Sequence, residues 1–214
     1  MNLGACRKLR LAPVVGVWFR TVELRFLEVS LNTSHTKETP SRFSGGPEAS
    51  RPFEVLYLCE NTLVSHFEVG ALLGSHWDPA SILSRPGTAW ADINVSVRLQ
   101  FVADLTEPSQ QQLLGVTVQE MTGDWQGYQL RSPRAPVPLP LGLAPTQQLG
   151  EALFRIPQLE GFFSVSAKVP DHRNLNVFPE KLQPGSQLVF EYADRGIRLE
   201  VNPPRPRARK TSDR

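Results

Sequence analysis

The chain has 214 residues, 40% of them hydrophobic and 21% charged, a globular composition that excludes a largely disordered protein. No apolar run approaches the ~18 to 20 residues of a membrane-spanning helix, which excludes an integral membrane protein. The net charge of +2 comes from the ends, because residues 11–201 hold 15 basic against 20 acidic side chains, and a general nucleic-acid binder is not expected.

In chain order, residues 17–20 read as a short first strand, followed by a polar, loop-rich stretch to about Arg51. Residues 54–60 (EVLYLCE) are a mostly apolar run of strand length. Asn61 then offers an N-cap, and Leu63, Val64, Phe67, Ala71 and Leu72 recur at helical spacing until Gly74. Residues 93–101 give the clearest strand: Ile93, Val95, Val97, Leu99 and Phe101 fall on one face, Asn94, Ser96, Arg98 and Gln100 on the other. A short helix is expected over 106–114, with Thr106 as N-cap and Pro108 in its first turn. Pro133, Pro136, Pro138, Pro140 and Pro145 mark a stiff, extended connection. A helix over 146–155 and strands over 162–167 and 175–178 follow. The pair 188–192 and 197–201, joined around ADRG, reads as a terminal hairpin. Short strands mixed with short helices give an α+β class. We expect one domain over 16–201, an N-terminal extension over 1–15, and a basic, disordered tail over 202–214.

Cys6 and Cys59 show no C-x-x-C spacing, and a reduced, cytoplasmic protein is expected. The first twenty residues imitate a signal peptide, but their apolar run is broken by Pro13 and ends at Arg20 without a small-residue cleavage site. The chain lacks the phosphate-binding loop, the dinucleotide fingerprint and the G-x-S-x-G elbow. His66 and Glu68 match half of a zinc-deaminase motif, but its P-C-x-x-C is absent. The histidines are scattered without an H-x-x-x-H pair, so no metal site is expected.

What survives is a set of polar residues that punctuate apolar segments. Arg42 lies in a glycine-bearing loop, Tyr57 inside a strand, Glu68 beside the apolar face of the following helix, and Ser166 in an apolar strand. Each also has an ordinary reading. Arg42 would pair with a surface carboxylate, Tyr57 would be a core residue with its hydroxyl at an edge, Glu68 would be solvated, and Ser166 would be structural. Glu60 reads as a turn or helix-start charge, and Asp104 as a turn or cap residue.

Nine fragments in one order carry a resemblance: WFR ending at Arg20, RFSGG from Arg42, LYLCE around Tyr57, SHFEVG around Glu68, DLTEP from Asp104, GDW from Gly123, TQQLG from Thr146, SVSAK around Ser166 and NLNVF from Asn174. Together they resemble the RES domain, over about residues 16–190. The chain departs from that pattern at Ser44, where Asn is usual, at Val165, where Pro is usual, and in a longer loop between Gly46 and Tyr57. The resemblance implies an ADP-ribosyltransferase-like mixed sheet and NAD as substrate. It implies Glu68 as catalytic carboxylate, Arg42 on the pyrophosphate, Tyr57 against the nicotinamide end, Ser166 on the ribose or amide, and Arg20 as a second phosphate or structural residue. The implied activity is cleavage of the nicotinamide–ribose bond, with water or phosphate as acceptor. The implied setting is a toxin–antitoxin pair whose partner has a helix-turn-helix domain; a homodimer is a further option. Two other functions stay open: transfer of ADP-ribose to a protein, and a non-enzymatic interaction module docked through the basic tail.

Overall fold

The computed structural model describes residues 1–71, 88–126 and 142–204. Its strands are β1 (Leu11–Glu23), β2 (Leu56–Cys59), β3 (Trp90–Asp104), β4 (Gly161–Val165), β5 (Arg173–Val177), β6 (Gln187–Tyr192) and β7 (Ile197–Val201). They form one sheet in the order β1-β2-β5-β4-β3-β6-β7, and β1 also pairs with β3. The circuit β1-β2-β5-β4-β3 therefore closes on itself, and the β6–β7 hairpin hangs on the middle of β3, at Val95–Arg98. All pairings are antiparallel except β3 with β4. Among the described residues the helices are α1 (Thr62–Glu68), α2 (Pro108–Leu114), α3 (Val118–Thr122) and α4 (Pro145–Phe154). The class is α+β, as the sequence predicts.

The alternation in β3 holds through Leu99, with Ile93, Val95, Val97 and Leu99 buried and their neighbours exposed. Phe101 departs from it, and the cause is local. The β1–β3 register slips between Ala12 and Val14, so that β3 carries an extra residue near Gln100 and Phe101. Pro13 sits at the slip, where a residue with no N–H breaks no ladder bond. The displaced N–H groups of Gln100 and Phe101 donate instead to Glu160 Oε2, at 2.6 and 2.8 Å. Glu160 is fully buried, and its Oε1 accepts from Gln183 N at 2.8 Å. Pro13 thus lies within β1 without ending it, and β1 runs from Leu11 rather than over 17–20.

The sheet separates two cores. One face packs Trp18, Leu58, Ile93, Leu99, Phe163, Leu175 and Phe190, among others, and the opposite face packs Phe43, Phe53, Leu105, Met121, Leu149, Phe162 and Phe178 with the helices. Adjacent Phe162 and Phe163 point to opposite cores, so β4 reads as a continuous apolar run. Ala5, Cys6 and Leu9 belong to the helical core, and Asn2 N donates to Leu114 O. The expected extension over 1–15 is therefore part of the packed body, and the expected boundary at residue 16 falls inside β1.

Other differences are small. The helix after β2 is capped by Asn61 Oδ1 accepting from Val64 N, as predicted, but Leu63 is exposed. Leu72 and Gly74 lie outside the described residues. Thr106 does not cap α2: Asp104 Oδ1 accepts from Thr106 N and Oγ1 in a turn, which leaves Glu107 before Pro108. The polar sequence of α3 hid it, although Thr117 and Glu120 form a capping box. The proline stretch before Pro145 and the tail beyond residue 204 lie outside the described residues.

Candidate active site

A cleft of about 700 Å³ opens on the helical side of the closed circuit. Strand registry builds its floor. Tyr57 pairs with Asn176 and Asn176 with Phe162, while Cys59 pairs with Asn174 and Asn174 with Ser164. Since successive residues of a strand face opposite sides, Leu56, Leu58, Phe163, Leu175 and Val177 go into the core beneath. Tyr57, Cys59, Ser164, Asn174 and Asn176 line the cleft.

Arg42 enters from a loop that is held at several points. Ser41 and Ser44 exchange backbone hydrogen bonds across it. The buried amide of Gln147, on α4, donates to Ser41 O at 3.0 Å and to Ser44 O at 3.3 Å. Phe43 is locked edge-on against Phe162, with ring centroids 5.0 Å apart. A Cβ on Gly150 would collide with the Phe43 carbonyl, so only glycine lets α4 approach this loop. Arg42 Nη1 then donates to Met121 O at 3.1 Å and Gly123 O at 2.6 Å, satisfying carbonyls at the end of α3. Burial pulls the guanidinium below its ordinary value, opposed by Glu68, Tyr57 and Asp124 nearby.

Tyr57 proves to be part of the same mounting. Its hydroxyl lies 2.8 Å from Ser41 Oγ and accepts from Phe43 N at 3.2 Å. Burial pushes that hydroxyl above its ordinary value. The expected contact with the nicotinamide end would therefore come from the ring, because the hydroxyl is occupied by the Arg42 loop.

Glu68 ends α1 and lines the cleft. Its Oε1 accepts from Ser166 Oγ at 2.6 Å and from Asn174 Nδ2 at 2.8 Å. Ser166 is buried, and its Oγ also accepts from Lys168 N at 3.2 Å and Val169 N at 3.0 Å. Here the expected role changes: Ser166 does not line the cleft, and its proton is committed to Glu68. It orients the carboxylate rather than meeting a ribose or an amide itself. Both bonds fall on Oε1, so Oε2 is the oxygen left for a ligand.

Arg20 also lines the cleft. It donates from Nη1 to Ser30 O at 2.7 Å, and burial pushes it down to about 10. Cys59 beside it is pushed up to about 12 by burial first and by Glu68 second, so its thiol stays neutral. Arg42, Tyr57, Glu68 and Arg20 thus come together, with Ser166 directly behind Glu68. Sequence reasoning missed the individual parts played by Gln147, Asn174 and Asn176. The fragments TQQLG and NLNVF contain all three, but nothing local distinguishes a buried amide that orients a loop from a soluble one. Glu60 stays outside the cleft, paired with His172 and Arg173. Among the described residues no group of three or more His, Cys, Asp and Glu side chains is placed to hold a metal ion, and no helix is long and apolar enough to cross a membrane.

No protein-family model and no curated protein matches the chain. Its fold is similar to that of a chain in the crystal structure of the M. tuberculosis MbcT–MbcA toxin–antitoxin complex, with a TM-score of 0.64 and 15% identity over 94% of this chain and 91% of that one. At that identity the likeness is one of fold, and it spans nearly the whole of both chains.

Proposed function

We propose that the chain is an NAD-consuming enzyme that cleaves the nicotinamide–ribose bond, and that it is the toxin of a RES-type toxin–antitoxin pair. The observation that carries this reading is the Glu68 carboxylate, held by Ser166 and Asn174 in a cleft that also contains Arg42 and Arg20. When the bond from ribose C1′ to the pyridinium nitrogen breaks, its electron pair neutralises the ring and positive charge moves to the sugar. The leaving group needs no proton. What lowers the barrier is an oriented negative charge beside the sugar, which Glu68 supplies. Water or phosphate then adds to C1′ and loses a proton. Arg42 and Arg20 offset the pyrophosphate charge with charge-assisted bonds, as a body with more acidic than basic side chains requires. The fold shared with a chain of a toxin–antitoxin complex supports the toxin setting and an antitoxin partner; the resemblance to the RES domain implies that this partner carries a helix-turn-helix domain and blocks the cleft.

The test is loss of NAD from purified protein, with and without inorganic phosphate, and identification of the product. ADP-ribose indicates water as acceptor, a phosphorylated ADP-ribose indicates phosphate, and label retained on protein indicates ADP-ribosyl transfer. Glu68→Gln should lower the rate by about 10² to 10³, the usual cost of one preorganised electrostatic group. NAD left intact by the unaltered protein would overturn the reading.

A further inference from the structure

Among the described residues, several buried side-chain polar atoms have no hydrogen-bond partner, and only two belong to residues that line the cleft: Asn174 Oδ1 and Asn176 Oδ1. Their orientation is determined by their neighbours. Asn174 presents its nitrogen to a carboxylate oxygen of Glu68. Asn176 presents its nitrogen to Phe162 O at 3.2 Å and Ser164 Oγ at 2.9 Å. Flipping either amide would set two acceptors against each other, so both carbonyl oxygens must be the unpaired ends. Asn174 is 9% exposed and Asn176 0%. Buried carbonyls normally find a donor, and two that lack one on residues lining a cleft point to a ligand that brings it.

β5 places the two residues on one face, with Cα atoms about 7 Å apart along the strand. A primary amide nitrogen carries two hydrogens that diverge at about 120°, which puts its acceptors roughly 5 Å apart. Two side chains that leave one strand face two residues apart can both reach acceptor positions on that scale. The site offers acceptors without charge, and Glu68 Oε2 remains for a sugar hydroxyl. We propose that Asn174 and Asn176 form an amide-recognising subsite that takes the NH₂ of the nicotinamide carboxamide and rejects the corresponding carboxylate. A carboxylate would bring no donor and would set its negative charge against two carbonyl oxygens and Glu68. This inference rests on the NAD-cleaving reading for its choice of ligand, and specificity for the amidated dinucleotide is what it adds.

The experiment compares turnover of NAD with turnover of its nicotinic acid counterpart, in the unaltered protein and in Asn176→Leu. The expected result is a preference for NAD of about 100-fold or more in kcat/KM, as sites built around buried hydrogen-bonding groups give, reduced to less than about tenfold in the folded variant. Equal use of both dinucleotides by the unaltered protein overturns the proposal, as does a folded variant that loses both activities in proportion. If the variant instead relaxes discrimination between NAD and its 2′-deoxyribosyl analogue, the acceptors hold the sugar and the amide assignment falls. A parallel titration of the unaltered protein with nicotinamide and with nicotinic acid separates the subsite from the NAD-cleaving activity and does not depend on the variant folding. If no dinucleotide is consumed, the NAD-cleaving reading fails by itself. Selective binding of nicotinamide then still supports the subsite, and binding of both or of neither overturns it.

Discussion

Glu68 and Ser166 are 98 residues apart in sequence and 2.6 Å apart in space, and the bond between them gives each its meaning. A carboxylate at the end of a short helix is free to turn unless donors hold it, and here Ser166 and Asn174 both hold Oε1. A hydrogen bond to a charged group contributes about 1.5–3 kcal/mol, which at ~1.4 kcal/mol per decade converts to about 10- to 100-fold in rate. Ser166→Ala should therefore lower kcat by about that factor with KM unchanged, because Ser166 acts through Glu68 and does not line the cleft. A double-mutant cycle provides the sharper measurement: in the Glu68→Gln background the Ser166 change should cost almost nothing more. Equal effects in both backgrounds would show that Ser166 acts elsewhere. At this scale the sequence was informative about which residues meet and less so about what they do. Arg42, Tyr57 and Glu68 all line one cleft, yet the Tyr57 hydroxyl serves the Arg42 loop and the Ser166 hydroxyl serves Glu68. Roles of this kind depend on hydrogen bonds between distant segments, which no local pattern records.

Among the elements, β3 was the most legible, since alternation reports a half-buried strand directly, and β1 the least, since Pro13 ordinarily argues against a strand interior. The structure resolves that conflict with a register slip and with Glu160, whose carboxylate replaces the ladder bonds lost at Gln100 and Phe101. A fully buried glutamate is rare unless it is paired or fully hydrogen-bonded, and Glu160 accepts from three backbone N–H groups. Glu160→Ala would strand those donors in the interior, at about 1–3 kcal/mol for each buried group left unsatisfied. We expect a loss of about 3 kcal/mol or more, measured by urea unfolding. Glu160→Gln should recover part of it, because an amide oxygen still accepts. Loss of less than 1 kcal/mol in the Ala variant would mean that water or a backbone shift satisfies the slip, and that Glu160 is not what allows β1 to continue past Pro13.

For the molecule as a whole, the basic first ten residues read differently by charge and by packing. Arg7, Lys8 and Arg10 set them apart from the acidic body and suggest an appended segment. Ala5, Cys6 and Leu9 nevertheless lie in the same core as Phe162 and Leu149, Asn2 N donates to Leu114 O at 2.6 Å, and Arg10 N donates to Gln110 Oε1 at 3.1 Å. Net charge describes the exposed side chains of such a segment, while its attachment is decided by the few that turn inward. Of the two helices it packs against, α2 and α4, the second also holds the Arg42 loop through Gln147, so the segment supports the site from behind. Burying a leucine-sized side chain contributes about 1.5–3 kcal/mol. Deleting residues 2–9 should therefore cost about 3 kcal/mol and lower Tm by about 6–12 °C for a chain of this length. It should also make NAD turnover fall more steeply on warming than in the full chain. If the segment only served solubility or partner contacts, Tm would be unchanged and only association or precipitation would respond, so one melting curve separates the alternatives.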